Sequence, residues 1–168
     1  MNLRILEESD ASIYQSLRLQ GLQVNPEAFG STFEREADFT MDMVTERIKP
    51  TEDRFVLGAF DEHGTLAGIV TFIRESSPKT RHKGNVFGLL VTPGMRGKGI
   101  GQALMEELLA RAKRMEGLEQ LNLTVVSTND SARRLYESLG FQRYGTERRA
   151  LKWDGAYFDE DYMALRLE

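Results

Sequence analysis

The period of apolar positions changes several times along the chain, and each change marks an element. Leu3-Arg4-Ile5-Leu6 alternates and predicts a short edge strand. Ser9 or Asp10 can cap a helix running to about Leu22, with Ile13 and Leu17 on its face and Gln20-Gly21 near its end. Asn25-Pro26 breaks the chain. A second helix is expected from about Thr40, with Met43, Val44, Arg47 and Ile48 at helical spacing, stopping at Pro50.

From there the period shortens. Arg54–Phe60 and Leu66–Arg74 read as strands joined by the turn Asp61-Glu62-His63-Gly64, a hairpin. Ser76–Lys83 is polar and reads as a loop. Val86–Thr92 is continuously apolar, which predicts a strand buried on both faces. After a glycine-rich loop, Ile100, Leu104, Leu108 and Ala112 recur at period 3.6, with Ala103 and Leu109 beside them. Leu121–Val126 is a further strand. Asn129–Leu139 is a short helix, with Gly140 placed for a left-handed C-terminal cap and Phe141 folding back. Gln142–Lys152 and Tyr157–Leu167 are strand-like and flank Asp154-Gly155 turn chemistry. The fold class expected is α/β: one domain over residues 1–168, with helices flanking a central, mixed, mostly antiparallel sheet.

Composition narrows the function classes. The chain has 168 residues, 40% hydrophobic and 29% charged, as in soluble globular proteins. It contains no cysteine, which removes disulfides, thiolate metal sites and a cysteine nucleophile. His63 and His82 lack partners at metal-ligand spacing, so no metal is expected. The net charge of −4 argues against a nucleic-acid partner. No signal-like core follows Met1 and no run is long and apolar enough to span a bilayer, so the expectation is a cytoplasmic protein without a membrane partner.

The chemistry concentrates between the third strand and the long helix. Gly97, Gly99 and Gly101 interleave with Arg96 and Lys98 where a helix begins. The first N–H groups of a helix have no partner within it, and with the helix dipole they form an anion site. Glycine lets a phosphate approach the backbone, so a diphosphate is the ligand expected. A P-loop fails: Thr92 stands where its first glycine belongs, and Gly99 follows Lys98 in place of serine or threonine. A dinucleotide fingerprint fails too, because Gln102 holds its third glycine position and Gly101 comes one residue early.

The segment Val91-Thr92-Pro93-Gly94-Met95-Arg96-Gly97-Lys98-Gly99-Ile100-Gly101-Gln102-Ala103-Leu104 resembles the hallmark of the GCN5-related N-acetyltransferase family. Its second feature stands as Asn129, Ala132, Tyr136, Gly140 and Phe141. The element order is similar nearly from end to end. The resemblance implies acetyl-CoA as cosubstrate and a strand splayed from its neighbour at the acyl-CoA site. It implies that backbone amides of Arg96, Gly97, Lys98, Gly99, Ile100, Gly101 and Gln102 hold the pyrophosphate. Leu89, Leu90 and Val91 would pair with the pantetheine arm, and an N–H near Leu89 would stabilise the oxyanion. Asn129 would contact the arm, and Tyr136 would protonate the leaving thiolate.

Each residue also has a plainer reading. Asn129 suits a helix cap. Tyr136 shares a face with Ala132 and Leu139, and Arg133 and Arg134 suit a solvated face. Many family members carry a glutamate as proton relay where this chain has Gly88. The base is then sought among Glu34, Glu36, Asp159, Glu160 and Asp161, or in ordered water. Trp153 and Tyr157 either edge the acceptor site or cover the sheet. The function implied is transfer of acetyl from acetyl-CoA to a primary amine of a small molecule through a tetrahedral intermediate. A protein acetyltransferase (lysine or N-terminal) and a non-catalytic acetyl-CoA-binding regulator are the alternatives. Homodimerisation through sheet edges or C-terminal strands is left open.

Overall fold

Turn chemistry and strand propensity place seven strands in one open sheet. The computed structural model describes residues 1–168. In chain order the elements are β1 (Asn2–Ile5), α1 (Ala11–Val24), α2 (Phe33–Ala37), α3 (Met41–Ile48), β2 (Arg54–Phe60), β3 (Leu66–Arg74), β4 (Lys83–Val91), α4 (Ile100–Lys113), β5 (Gln120–Val126), α5 (Asp130–Ser138), β6 (Gln142–Trp153) and β7 (Ala156–Arg166). Spatial order is β1-β2-β3-β4-β5-β7-β6. All neighbours are antiparallel except β4 and β5, which run parallel.

Local signals explain most boundaries. Thr40 caps α3 by accepting the Met43 N–H at 3.2 Å. Asp154 and Gly155 take φ of 49° and 74°, as the two-residue β6–β7 turn requires. At the end of α5 the Phe141 N–H reaches the Tyr136 carbonyl at 3.0 Å, the fold-back expected around Gly140.

Each face of the sheet carries its own core. On one face α4 buries Ile100, Leu104, Met105 and Leu108 against Phe55, Leu57, Phe72, Leu121 and Met163. On the other, α1 and α3 bury Tyr14, Leu17, Val44 and Ile48 against Val56, Ile69 and Leu90. Strand β2 lies between both cores and is buried from Phe55 to Phe60. Helix α1 lies very close to β4: a Cβ on Gly21 would stand 2.6 Å from Leu90 Cδ2.

Four expectations need correction. Ile13 is exposed, and α1 turns Tyr14, Gln15 and Arg18 inward with Leu17. Gly21 lies inside α1, which continues to Val24. The five-residue helix α2 falls where no helix was expected, and its inward residue is Glu36. Strand β4 is not buried on both faces, since Phe87 is half exposed; the cause is a local departure from the sheet.

Candidate active site

The departure of β4 has a backbone origin. Between the pairs Ile69–Leu90 and Thr71–Phe87, β4 advances three residues while β3 advances two, so β4 carries a bulge. Gly88 sits in it with φ of 59°, a conformation that penalises any residue with a Cβ. Pairing with β5 is confined to Lys83–Asn85 against Gln120–Asn122. Past Asn85, backbone groups of β4 that point toward β5 have no partner strand. Leu89, Leu90 and Val91 border the resulting cleft, whose volume is about 490 Å³.

Helix α4 points its N-terminus into the same cleft. Gly97 and Gly99 take φ of 77° and 81°, and Gly99 is the N-cap. The amides of Ile100, Gly101 and Gln102 have no acceptor within the helix, and all three residues line the cleft. Arg96 lines it as well, while its guanidinium ties α1 to β4, donating to Asn25 Oδ1 at 2.8 Å and the Val91 carbonyl at 3.2 Å. Lys98 is the exception: its side chain lies outside the cleft, 3.8 Å from the Met95 sulfur. Asn129 is a helix cap that also borders the cleft. Its Oδ1 caps α5 by accepting the Ala132 N–H at 3.3 Å, and the residue lines the cleft.

A second cavity, about 750 Å³, opens on the other side of the split. Gly88 lines this cavity and Leu89 lines the cleft, so the two spaces meet at that step of β4. Tyr136 lines the second cavity. Its ring packs edge-on to Phe141 with centroids 6.0 Å apart. Burial pushes its hydroxyl up to about 12, so it holds its proton at neutral pH.

The acidic residues sort by their partners. Glu36 is buried, which works against its charge, but Arg18 grips both oxygens at 3.0 Å and Arg47 adds a bond of 2.7 Å. Those bonds outweigh the burial and hold the carboxyl down at about 2, far too weak a base for proton abstraction. Asp161 is also buried, yet Ser127 and Thr146 each donate to it at 2.8 Å and Arg133 stands 3.3 Å away, which lowers its pKa. Arg133 thus ties α5 to β7, beyond a purely solvated role. Asp159 accepts the Arg149 N–H at 2.8 Å. Glu34 and Trp153 face a separate hollow beside the β6–β7 turn. Tyr157 stacks under the Arg149 guanidinium at 3.9 Å, away from the cavity. Glu160 alone of the five lines the cavity, and burial followed by repulsion from Glu147, its register neighbour, raises its pKa.

Tyr14, Arg18 and Arg47 also line this cavity and were not singled out from sequence as site residues. One cue was available: Tyr14 and Arg18 stand four apart, so an arginine shares the apolar face of α1.

Comparison with known proteins agrees with this architecture. L-amino acid N-acetyltransferase AaaT of Escherichia coli is 29% identical over 101 residues, 60% of this chain and 62% of that one. The chain therefore spans less than two thirds of that relative. The SPbeta prophage-derived uncharacterized N-acetyltransferase YokL of Bacillus subtilis is 29% identical over 162 residues, 95% of this chain and 85% of its own. The phosphinothricin acetyltransferase of Sinorhizobium meliloti, solved in complex with acetyl-CoA, shares the fold with a TM-score of 0.84 at 22% identity, covering 99% of this chain and 88% of that one. The model of the Acetyltransferase (GNAT) family matches residues 18–141, from α1 through the split strands and the α4 loop to the end of α5. On that match the chain belongs to the acetyltransferase (GNAT) family.

Proposed function

We propose that the protein transfers an acetyl group from acetyl-CoA to a primary amine of a small molecule. The observation that carries this reading is the junction of two spaces at Gly88 and Leu89. One has unpaired helix and strand amides suited to a diphosphate and an amide-bearing arm. The other has the size of a small-molecule pocket, which favours a small acceptor over a protein segment.

In this reading the amides of α4 and the loop before it, those of Lys98 included, hold the pyrophosphate. The free edge of Leu89–Val91 and the Asn129 side chain hold the pantetheine arm. An N–H near Leu89 faces the thioester oxygen and stabilises it as it becomes an oxyanion. The amine nitrogen forms a bond to the carbonyl carbon, the C–S bond breaks, and Tyr136 gives its proton to the departing thiolate. The proton lost by the amine goes to Glu160, whose raised pKa suits it as acceptor. Glu160 on β7 thereby takes the task that Gly88, without a side chain, cannot perform.

The test is calorimetric titration with acetyl-CoA followed by thiol release over a panel of amines. Micromolar binding with thiol release on a small amine is the expected result. Absence of binding would remove the cleft from consideration. Binding with turnover only on peptides would transfer the reading to a protein acceptor.

A further inference from the structure

The acceptor cavity contains a cationic group with no use in the transfer chemistry. Arg18 is 9% exposed at its side chain, and its Nε and Nη2 are both spent on Glu36. Its Nη1 has no acceptor in the chain. It lies 3.4 Å from where a Cβ on Gly88 would stand, at the junction of cavity and cleft. This nitrogen opens onto the cavity with its donors free, and an anion bound there would make a charge-assisted hydrogen bond in place of water.

The neighbours strengthen the case. Arg47 and Arg18 share one carboxylate, Glu36, so one positive charge is left uncompensated. The Tyr14 ring is buried, its hydroxyl makes no hydrogen bond within the chain, and it feels the charges of Arg47, Arg18 and Glu36. Three donors from α1 and α3 therefore serve one end of the cavity. The Phe29 ring lies 4.9 Å from the Arg18 guanidinium carbon and restricts its movement. Carboxylate comes from another element, as Glu160 on β7.

We propose that the acceptor is a small amine that also carries an acid group, held by Arg18 Nη1 with Arg47 and the Tyr14 hydroxyl while its amine faces Glu160. The proposal rests on the acetyl-transfer reading and specifies its substrate class. Carboxylate and phosphonate offer the same acceptor oxygens to a guanidinium. A polyamine or an amine without an acid group would leave Arg18 Nη1 to water. At Gly88 even a Cβ would touch the Arg18 head group at 3.4 Å, so the missing side chain leaves the approach to the acid open.

The experiment measures thiol release from acetyl-CoA with matched pairs of amines. One pair is an L-amino acid and its primary amide; another is an aminoalkylphosphonate and the parent alkylamine. The acid-bearing member should have a kcat/KM higher by about 10-fold or more, the scale of one charge-assisted hydrogen bond. Removing Arg18 endangers the buried ion pair, so Arg47→Gln and Tyr14→Phe serve as test variants. In Arg47→Gln the acid preference should fall toward parity, chiefly through KM, and Tyr14→Phe should reduce it less. Equal kcat/KM within every pair, or a preference untouched by Arg47→Gln, would overturn the proposal while leaving acetyl transfer standing. If no amine is turned over, titrating the CoA-bound protein with the same pairs decides the matter. Heat from the acids alone supports the subsite, and equal heat or none overturns it. Failure to bind acetyl-CoA sinks the transfer reading, and the same titration on the free protein still tests the acid subsite.

Discussion

In the proposed transfer, Tyr136 and Glu160 would divide the labour of acid and base by environment more than by residue type. Burial alone pushes the Tyr136 hydroxyl up to about 12, so it keeps its proton across the working pH range. Tyr136→Phe should lower kcat by about 10²-fold, the low end for general acid catalysis because a thiolate leaves readily. Acetyl-CoA affinity and thermal stability should barely move, since the hydroxyl makes no hydrogen bond within the chain. An unchanged kcat would remove Tyr136 from the mechanism. As the proposed acceptor of the amine's proton, Glu160 should make kcat/KM fall as pH drops through its raised pKa. Glu160→Gln should lose that acid limb along with about 10²–10⁴-fold in rate. Glu36 behaves oppositely. Its carboxyl sits at about 2 in the fold against an ordinary 4.5, so its ion pairs stabilise fully above pH 4.5 and less as pH falls toward 2. Glu36→Gln leaves Arg18 buried without a charged partner and should cost about 3–5 kcal/mol. Melting curves between pH 2 and 7 should show the wild-type advantage shrinking through the acid window. A variant as stable as the wild type at pH 7 would refute the account.

Packing between elements sets the cleft, and α1 meets β4 there at close range. Ala normally stabilises a helix interior over Gly by about 1 kcal/mol. At Gly21 the added methyl would stand 2.6 and 2.7 Å from the two Leu90 methyls, so Leu90 must change rotamer or α1 must move. Gly21→Ala should therefore destabilise by about 1–3 kcal/mol, the range for overpacking. It should also weaken acetyl-CoA binding, because Leu90 borders the cleft. A gain in stability would mean that α1 is not held against β4. The legibility of these elements in sequence follows from how local their causes are. Strands β2 and β3 had their bounds from the Asp61-Gly64 turn and sustained apolar runs, and α4 from its repeat. Helix α2 was missed because five residues show no period and the one inward residue, Glu36, is charged. The apolar run of β4 resembles a doubly buried strand; its bulge depends on Gly88 and on pairing with β3, which no single strand announces. That the glycine loop and Asn129 border the cleft and Tyr136 the cavity was legible because family motifs mark those positions. The choice of Glu160 from an acidic run was not, since Ser127, Thr146 and Arg133 reach Asp161 from distant parts of the chain.

The sheet as a whole is two units of strands held by a short seam. Strands β1-β2-β3-β4 form one and β5-β7-β6 the other, and the seam is three residue pairs long. Helix α4 and its core span both units, since Leu104 and Leu108 belong to the cluster that includes Phe72 from one and Leu121 from the other. The cleft therefore exists because the sheet is incomplete there, and a bound pantetheine arm would take the place of missing strand pairing. A ligand that closes such a gap stabilises the molecule by its binding free energy. At 100 times its Kd, acetyl-CoA should add about 2.7 kcal/mol and raise Tm by roughly 5–10 °C for a chain of this size. Hydrogen exchange should then slow on both sides of the split, at Leu89–Val91 on β4 and around Asn129 at the start of α5, as well as at the first amides of α4. Protection confined to α4 would mean that only the diphosphate is held and the arm does not enter between the strands. A Tm unmoved by saturating acetyl-CoA would mean that the gap serves some other ligand. The full pattern is the one an open seam between parallel strands demands, because the amides it leaves unpaired lie on two elements brought together only by the fold.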